Sequence, residues 1–178
     1  VGEINMNKIC IIGCSGTGKT TLANNLAKEL NLPVYHLDGI NYFSNWKARD
    51  KKERDKIILE KMSEDKWIMD GTYNSTLLQR LKNSDFIIFL DYSWFAQISG
   101  VLRRYIKNQG KEKEEIPGCK EQMNWEFFWW VVNWRKNKRK GILKMLCQVD
   151  NNKVHIFKSR RQLNKWFEKQ FNKKIECI

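Results

Sequence analysis

The stretch KICIIGCSGTGKTTLANNLAKEL, residues 8–30, restricts what this chain can fold into more than any other part of it. Residues 9–12 are an unbroken apolar run with no solvated face, which predicts a strand buried on both sides in a parallel sheet. Further on, Leu22, Leu26 and Leu30 recur at helical spacing. Between strand and helix, Gly13, Gly18, Lys19 and Thr20 satisfy G-x-x-x-x-G-K-[ST] in the context that gives the pattern its meaning. A loop of this kind turns backbone N–H groups inward around phosphate oxygens, carries a lysine to the β- and γ-phosphates, and offers a hydroxyl to a metal ion at a helix start. Gly13, Cys14, Ser15, Gly16, Thr17, Gly18, Lys19, Thr20 and Thr21 are therefore the expected nucleotide site, with ATP and Mg2+ as the expected cofactors. Cys14 has no histidine base beside it and reads as a small loop residue rather than a nucleophile.

Strands and helices alternate along the rest of the chain. Residues 32–38 read as a short strand ending in Asp38, 47–64 as a charged helix, and 67–70 as a strand closed by Gly71. Helix 74–85, strand 86–91 and helix 94–107 follow. GKEKEEIPG at 110–118 is charged and rich in breakers, which predicts a loop; 121–146 is helical again, 154–157 is the last strand, and 159–171 the closing helix. This order predicts a three-layer α/β domain with a mostly parallel sheet, and 178 residues suffice for one well-buried core rather than two.

A triphosphate loop does not say where a phosphoryl group goes, so the other strand ends matter. Three carry carboxylates: Asp38, Asp70 and Asp91. In an open parallel sheet the strand carboxyl ends line the ligand crevice. Asp70 is expected to hold magnesium together with Thr20, against the alternative of a turn before Gly71. Asp38 is placed to orient or deprotonate a hydroxyl acceptor, against the alternative of a cap. For Asp91 capping is the simpler role.

The formal charge of +13, from 33 Lys plus Arg against 20 Asp plus Glu, predicts a field that attracts nucleotides, nucleic acid or an acidic surface without choosing among them. NWRKNKRK at 133–140 puts Arg135 forward as a phosphate contact with Arg139 behind it, a solvated basic face being the alternative. In the preceding aromatic block, Trp125, Phe128 and Val132 form one helical stripe, which predicts packing in a core or a dimer; monomer and homodimer both stay open. Glu121 and Glu126 either meet the acceptor or pair with nearby lysines. No zinc-finger, helix-turn-helix or RNA-binding signature accompanies the charge, so weak, salt-sensitive, sequence-independent binding is all it supports for nucleic acid. Cysteines 10, 14, 119, 147 and 177 follow no paired spacing and only two histidines accompany them, so a reducing, cytoplasmic setting is expected rather than a disulfide framework or zinc site. FFWWVV at 127–132 is too short to span a bilayer, and no membrane partner is expected.

Over roughly residues 8–170 the chain resembles the adenylate-kinase-like P-loop kinases, and more closely the bacterial DNA topology modulation proteins. The resemblance rests on GCSGTGKTTLANNLAKEL, LPVYHLDGINYFSNW, WIMDGTY, SDFIIFLDYS, the segment with Arg103 and Arg104, GCKEQMNWEFFWWVVNWR and VHIFKSRRQLNKWF. It implies a five-stranded parallel sheet of order 2-3-1-4-5, ATP and magnesium on the first loop, an acceptor enclosed by the helices after strands two and three, and a small helical lid over about residues 108–140. Arg104 matches the second arginine of R-x-x-x-R, which meets the transferring phosphoryl group; Gly100 replaces the first, and Arg103 lies one helical position away. HLDG replaces the adenylate-kinase monophosphate motif, and its aspartate is similar to that of shikimate-type kinases, so the expected activity is transfer to a hydroxyl of a small molecule. Nucleoside monophosphate kinase and a nucleic-acid-binding modulator with a regulatory nucleotide site are the alternatives. The expected catalytic set is Lys19, Asp38, Asp70, Arg104 and Arg135.

Overall fold

A computed structural model describes residues 6–176. Strand β1 (Lys8–Gly13) runs into helix α1 (Lys19–Leu30), β2 (Val34–His36), α2 (Leu37–Asn41), α3 (Lys51–Met62), β3 (Trp67–Asp70), α4 (Asn74–Asn83), β4 (Phe86–Leu90) and α5 (Trp94–Asn108). A hairpin of β5 (Glu112–Lys113) and β6 (Ile116–Lys120) follows, then α6 (Trp125–Trp134), α7 (Lys140–Leu146), β7 (Val154–Phe157) and α8 (Arg160–Phe171).

The main sheet has the order β2-β3-β1-β4-β7 with every pairing parallel. Counted without the hairpin this is the expected 2-3-1-4-5. Alternation along β1 supplies both layers: Ile9 and Ile11 enter one apolar cluster with Leu22, Leu26 and Phe167, while Cys10 and Ile12 enter the other with Met69, Leu77 and Trp134. Ile9, Cys10, Ile11 and Ile12 are all fully buried, each isoleucine contributing roughly 1.5–3 kcal/mol. That two-sided burial is why the run carries no polar residue.

Three local expectations are corrected. Strand β2 stops at His36, and Asp38 lies in the first turn of α2. Leu37 turns inward against Gly71, where a Cβ would stand 2.9 Å from the Leu37 Cβ, and this ends the edge strand early. Residues 110–118 are not a loop but contain most of a hairpin, pinned by buried Ile116 and Cys119, so the lid is part sheet. The stripe of Trp125, Phe128 and Val132 is not the buried side of α6: Val131 and Trp134 are buried at 1% exposure, whereas Trp125 is 76% exposed. Helix α6 continues into α7 through a π-helical turn at Arg135–Arg139, a form enriched at functional sites. Among the described residues no helix is long and apolar enough to cross a membrane.

Candidate active site

The phosphate loop gets its shape from glycines in left-handed backbone, Gly16 at φ +76° and Gly18 at +88°. Thr17, buried, donates to the Cys14 carbonyl at 2.8 Å, and Lys19 Nζ donates to the same oxygen at 3.0 Å. Thr72 grips Gly13 from the end of β3, its hydroxyl accepting from Gly13 N–H at 3.1 Å and donating to Gly13 O at 3.0 Å. Helix α1 opens directly on the loop with no acidic residue in its first turn, so its dipole is left to face an anion; Thr21, half-buried, is its third residue.

Parallel pairing of β3 with β1 and β2 brings Asp70 beside the loop. Thr20 Oγ1 donates to Asp70 Oδ2 at 2.8 Å, and His36 Nδ1 lies 3.2 Å from the same oxygen, its Nε2 being 3.0 Å from Asn24 Oδ1. Asp70 Oδ1 is buried without a partner among the described residues. Burial pushes the Asp70 carboxyl up, but the His36 hydrogen bond, the Lys19 charge and the Thr20 hydroxyl together hold it below the ordinary range. Burial pulls His36 down, but Asp70, with Glu115 and Asp38 behind it, brings the imidazole above its ordinary value. Each therefore favours the charged form of the other.

On the far wall Tyr73 donates to Asp38 Oδ1 at 2.7 Å. Burial first, then the Asp38 charge and hydrogen bond, push the Tyr73 phenol well up, so it remains a donor at every physiological pH. Residues 71–73 are held by Arg80, whose fully buried guanidinium donates to Gly71 O at 2.9 Å, Tyr73 O at 3.1 Å and Thr76 Oγ1 at 3.2 Å. Phosphate loop, Asp38 and Asp70 line one cleft of about 930 Å3, roofed by the hairpin and α6.

Arg104 faces this cleft from α5, its guanidinium 3.3 Å from Ser15 Oγ and 3.1 Å from Glu121 Oε1. Glu121 is buried and takes Lys113 as well, at 3.7 Å, so pairing is its observed role; Glu126 is exposed on the cleft rim. Arg135 and Arg139, four apart on the π turn, both bond Asp91: Arg135 Nη1 at 3.0 Å, with a second bond to Tyr92 O, and Arg139 by two nitrogens at 2.8 and 2.7 Å. Asp91 is thus the anchor of the lid helix, not a cap. Arg135 remains close enough for its charge to act on Cys14. Sequence reasoning passed over His36, Thr72, Tyr73, Arg80 and Trp46, although HLD and WIMDGTY contain three of them.

The model of a protein family described as "AAA domain" matches residues 8–95, just under half of the chain. No curated protein matches. Among solved structures the chain is similar to shikimate kinase from Acinetobacter baumannii in complex with shikimate, at 15% identity, with 97% of each chain covered and a TM-score of 0.61. It is similar to shikimate kinase from Bacteroides thetaiotaomicron at 17% identity, covering 94% of this chain and 99% of that one, TM-score 0.52. A gluconokinase from Sinorhizobium meliloti 1021 matches at 11% identity, 93% and 90% coverage and TM-score 0.53. The fold is the one these kinase structures share: a parallel five-stranded sheet between helix layers. The narrower grouping with topology modulation proteins rests on the sequence motifs alone.

Proposed function

We propose that this protein transfers the γ-phosphoryl group of ATP to a hydroxyl of a small-molecule acceptor. The observation that carries the reading is the Asp38 carboxylate, held by Tyr73 through one oxygen, on the same cleft as Lys19 and Thr20. Likeness to structures named as shikimate kinase and gluconokinase supports it at the level of fold.

Thr20 Oγ1 and Asp70 are hard oxygen donors in mutual contact, and the unpartnered Asp70 Oδ1 is an acceptor still to be satisfied, so the pair fits magnesium. Bound there, the ion would supply positive charge against the terminal phosphates. The loop N–H groups and the α1 terminus hold the phosphates, and Lys19 and Arg104 offset charge on the transferring group. Asp38 aligns the acceptor for in-line attack through Oδ2, the oxygen that Tyr73 leaves open. As the hydroxyl oxygen bonds to the γ-phosphorus, the bond to the β,γ-bridging oxygen breaks, the hydroxyl proton passes to Asp38, and ADP leaves. Arg135, which engages Asp91 and the Tyr92 carbonyl through Nη1 alone, would meet a phosphate through its other nitrogens, while Arg139 keeps the lid helix anchored.

The test is transfer of label from γ-labelled ATP across a panel of hydroxyl and monophosphate acceptors. Transfer to a hydroxyl should fall about a hundredfold or more in Asp38→Asn while the Kd for ATP stays within about threefold. Transfer to monophosphates alone would replace the reading with a nucleoside monophosphate kinase.

A further inference from the structure

The acceptor half of the cleft contains an uncommon backbone. Asn45 and Trp46 are consecutive residues at φ +57° and +58°, a conformation that is a genuine outlier for a bulky side chain. It is held from outside. Trp46 N–H donates to Cys119 Sγ at 3.1 Å and its indole N–H to Lys120 O at 3.0 Å, while Cys119 Sγ donates to Phe43 O at 3.2 Å. The hairpin fits closely enough that a Cβ at Gly118 would stand 2.7 Å from Ser44 Cβ, and one at Gly39 2.4 Å from Glu115 O. Backbone strain maintained by so many contacts points to a side chain that must be aimed. What it aims is an indole into the cleft wall, its ring centroid 5.4 Å from that of Tyr42 in edge geometry.

The arginine of this half is already engaged. Arg54 gives Nε and Nη2 to Asp55 at 2.9 and 2.7 Å, Nη1 to Asn41 at 3.1 Å, and lies over the Tyr73 ring at 4.7 Å. Lys113 lies 3.7 Å from Glu121, with its Nζ over the Trp46 ring 5.5 Å from the centroid, and Arg49, outside the cleft lining, bonds Glu53 and the Ile40 carbonyl. Lys51 and Lys138 line the cleft as well, Lys51 on the acceptor side and Lys138 on the lid helix. Aromatic surface is what this half offers: Trp46, Tyr42 and Tyr73 on the acceptor side, Phe127 and Trp130 stacked at 6.1 Å on the lid side.

Resting on the kinase reading above, we infer that the acceptor carries a planar ring beside its hydroxyl and is of the nucleoside class, and that Trp46 is the stacking partner of that ring. Stacking on an indole is tolerant of which base is presented, so the site selects for a ring before it selects among rings. The reaction is ATP plus nucleoside giving ADP plus nucleoside phosphate, with the proton on Asp38 released afterwards to solvent.

The experiment measures two things separately on the full chain: calorimetric binding, with ADP present, of uridine, thymidine, adenosine and guanosine against inositol, glycerate and gluconate, and transfer of labelled γ-phosphate to each. The expected result is that a nucleoside binds and is phosphorylated in preference to every ringless acceptor. Its KM should rise at least tenfold in Trp46→Leu with kcat within threefold, and recover in Trp46→Phe, which also shows that the loop still folds. Phosphorylation of a ringless polyol or hydroxy acid in preference to all nucleosides overturns this inference and leaves the kinase reading standing. Nucleoside binding with no transfer to any acceptor overturns the kinase reading and leaves the ring site standing. A panel in which no nucleoside binds or reacts, or an unchanged KM in Trp46→Leu, overturns the inference.

Discussion

A Cβ built on Gly100 would stand 2.0 Å from the carbonyl oxygen of Gly16, so helix α5 and the phosphate loop touch backbone to backbone. The contact is two-sided, since a Cβ on Gly16 would lie 2.6 Å from both Gln97 O and Val101 N. This accounts for the missing first arginine of R-x-x-x-R: no side chain fits at position 100 without moving the loop. Arg160 instead crosses this point and donates to Gly16 O at 3.0 Å. Gly100→Ala is expected to cost about 1–3 kcal/mol of stability by overpacking and to weaken ATP binding at least tenfold. Denaturant melts and calorimetric titration with ATP check the two effects.

The contact of His36 with Asp70 gives the protein a pH signature in the absence of nucleotide. His36 is raised above 6.5, so its contribution to stability is full below that value and is lost as pH rises through the higher folded value. Asp70 is lowered from 3.8, so its contribution is present above that value and is lost as pH falls through the lower folded one. Unfolding free energy should therefore decline from about pH 6.5 upward in the wild type, and this decline should be absent in His36→Asn. Urea titrations at half-unit steps from pH 5 to 9 measure the difference between the two proteins.

Asp91 is expected to act as the fastening of the lid helix. It is buried while both arginines are about one-third exposed, so Asp91→Ala should cost about 2–3 kcal/mol, less than a fully buried pair. Arg139→Ala should cost more than Arg135→Ala, because Arg139 holds the carboxylate through two nitrogens. Chemical denaturation of the three variants ranks them.

Cys14 should be inert. Burial pushes its thiol up to about 12 in spite of Lys19 nearby, which leaves roughly one thiolate in ten thousand at pH 8. Iodoacetamide at pH 8 should modify exposed Cys147 and leave Cys10, Cys14 and Cys119 untouched in the native protein, as peptide mass mapping would record. Cys177 lies outside the described residues.

What could be read from the sequence follows from how local each signal is. Strand β1, the phosphate loop and α1 were legible because two-sided burial, glycine turns and helical spacing all lie within 23 consecutive residues. The position of Asp70 followed from the rule about strand ends, which missed that Asp38 sits past its strand in the first turn of α2, and the strand order followed from the resemblance. The hairpin was hidden because only Ile116 and Cys119 bury in a stretch otherwise charged, which leaves no alternation to detect. His36 reads as one more strand residue until parallel pairing sets it against Asp70, 34 positions away. Arg80 looks like a solvated helix arginine; only three-dimensional structure shows carbonyls meeting its guanidinium. Left-handed backbone at a tryptophan has no sequence signature at all.

The central claim, phosphoryl transfer to a hydroxyl, is tested most directly by 31P NMR of the purified product from unlabelled ATP, magnesium and the acceptor panel. The account predicts a phosphomonoester resonance that grows as ADP accumulates, and that is absent over the same interval with Asp38→Asn. A new anhydride resonance, or inorganic phosphate alone with every acceptor, would contradict it.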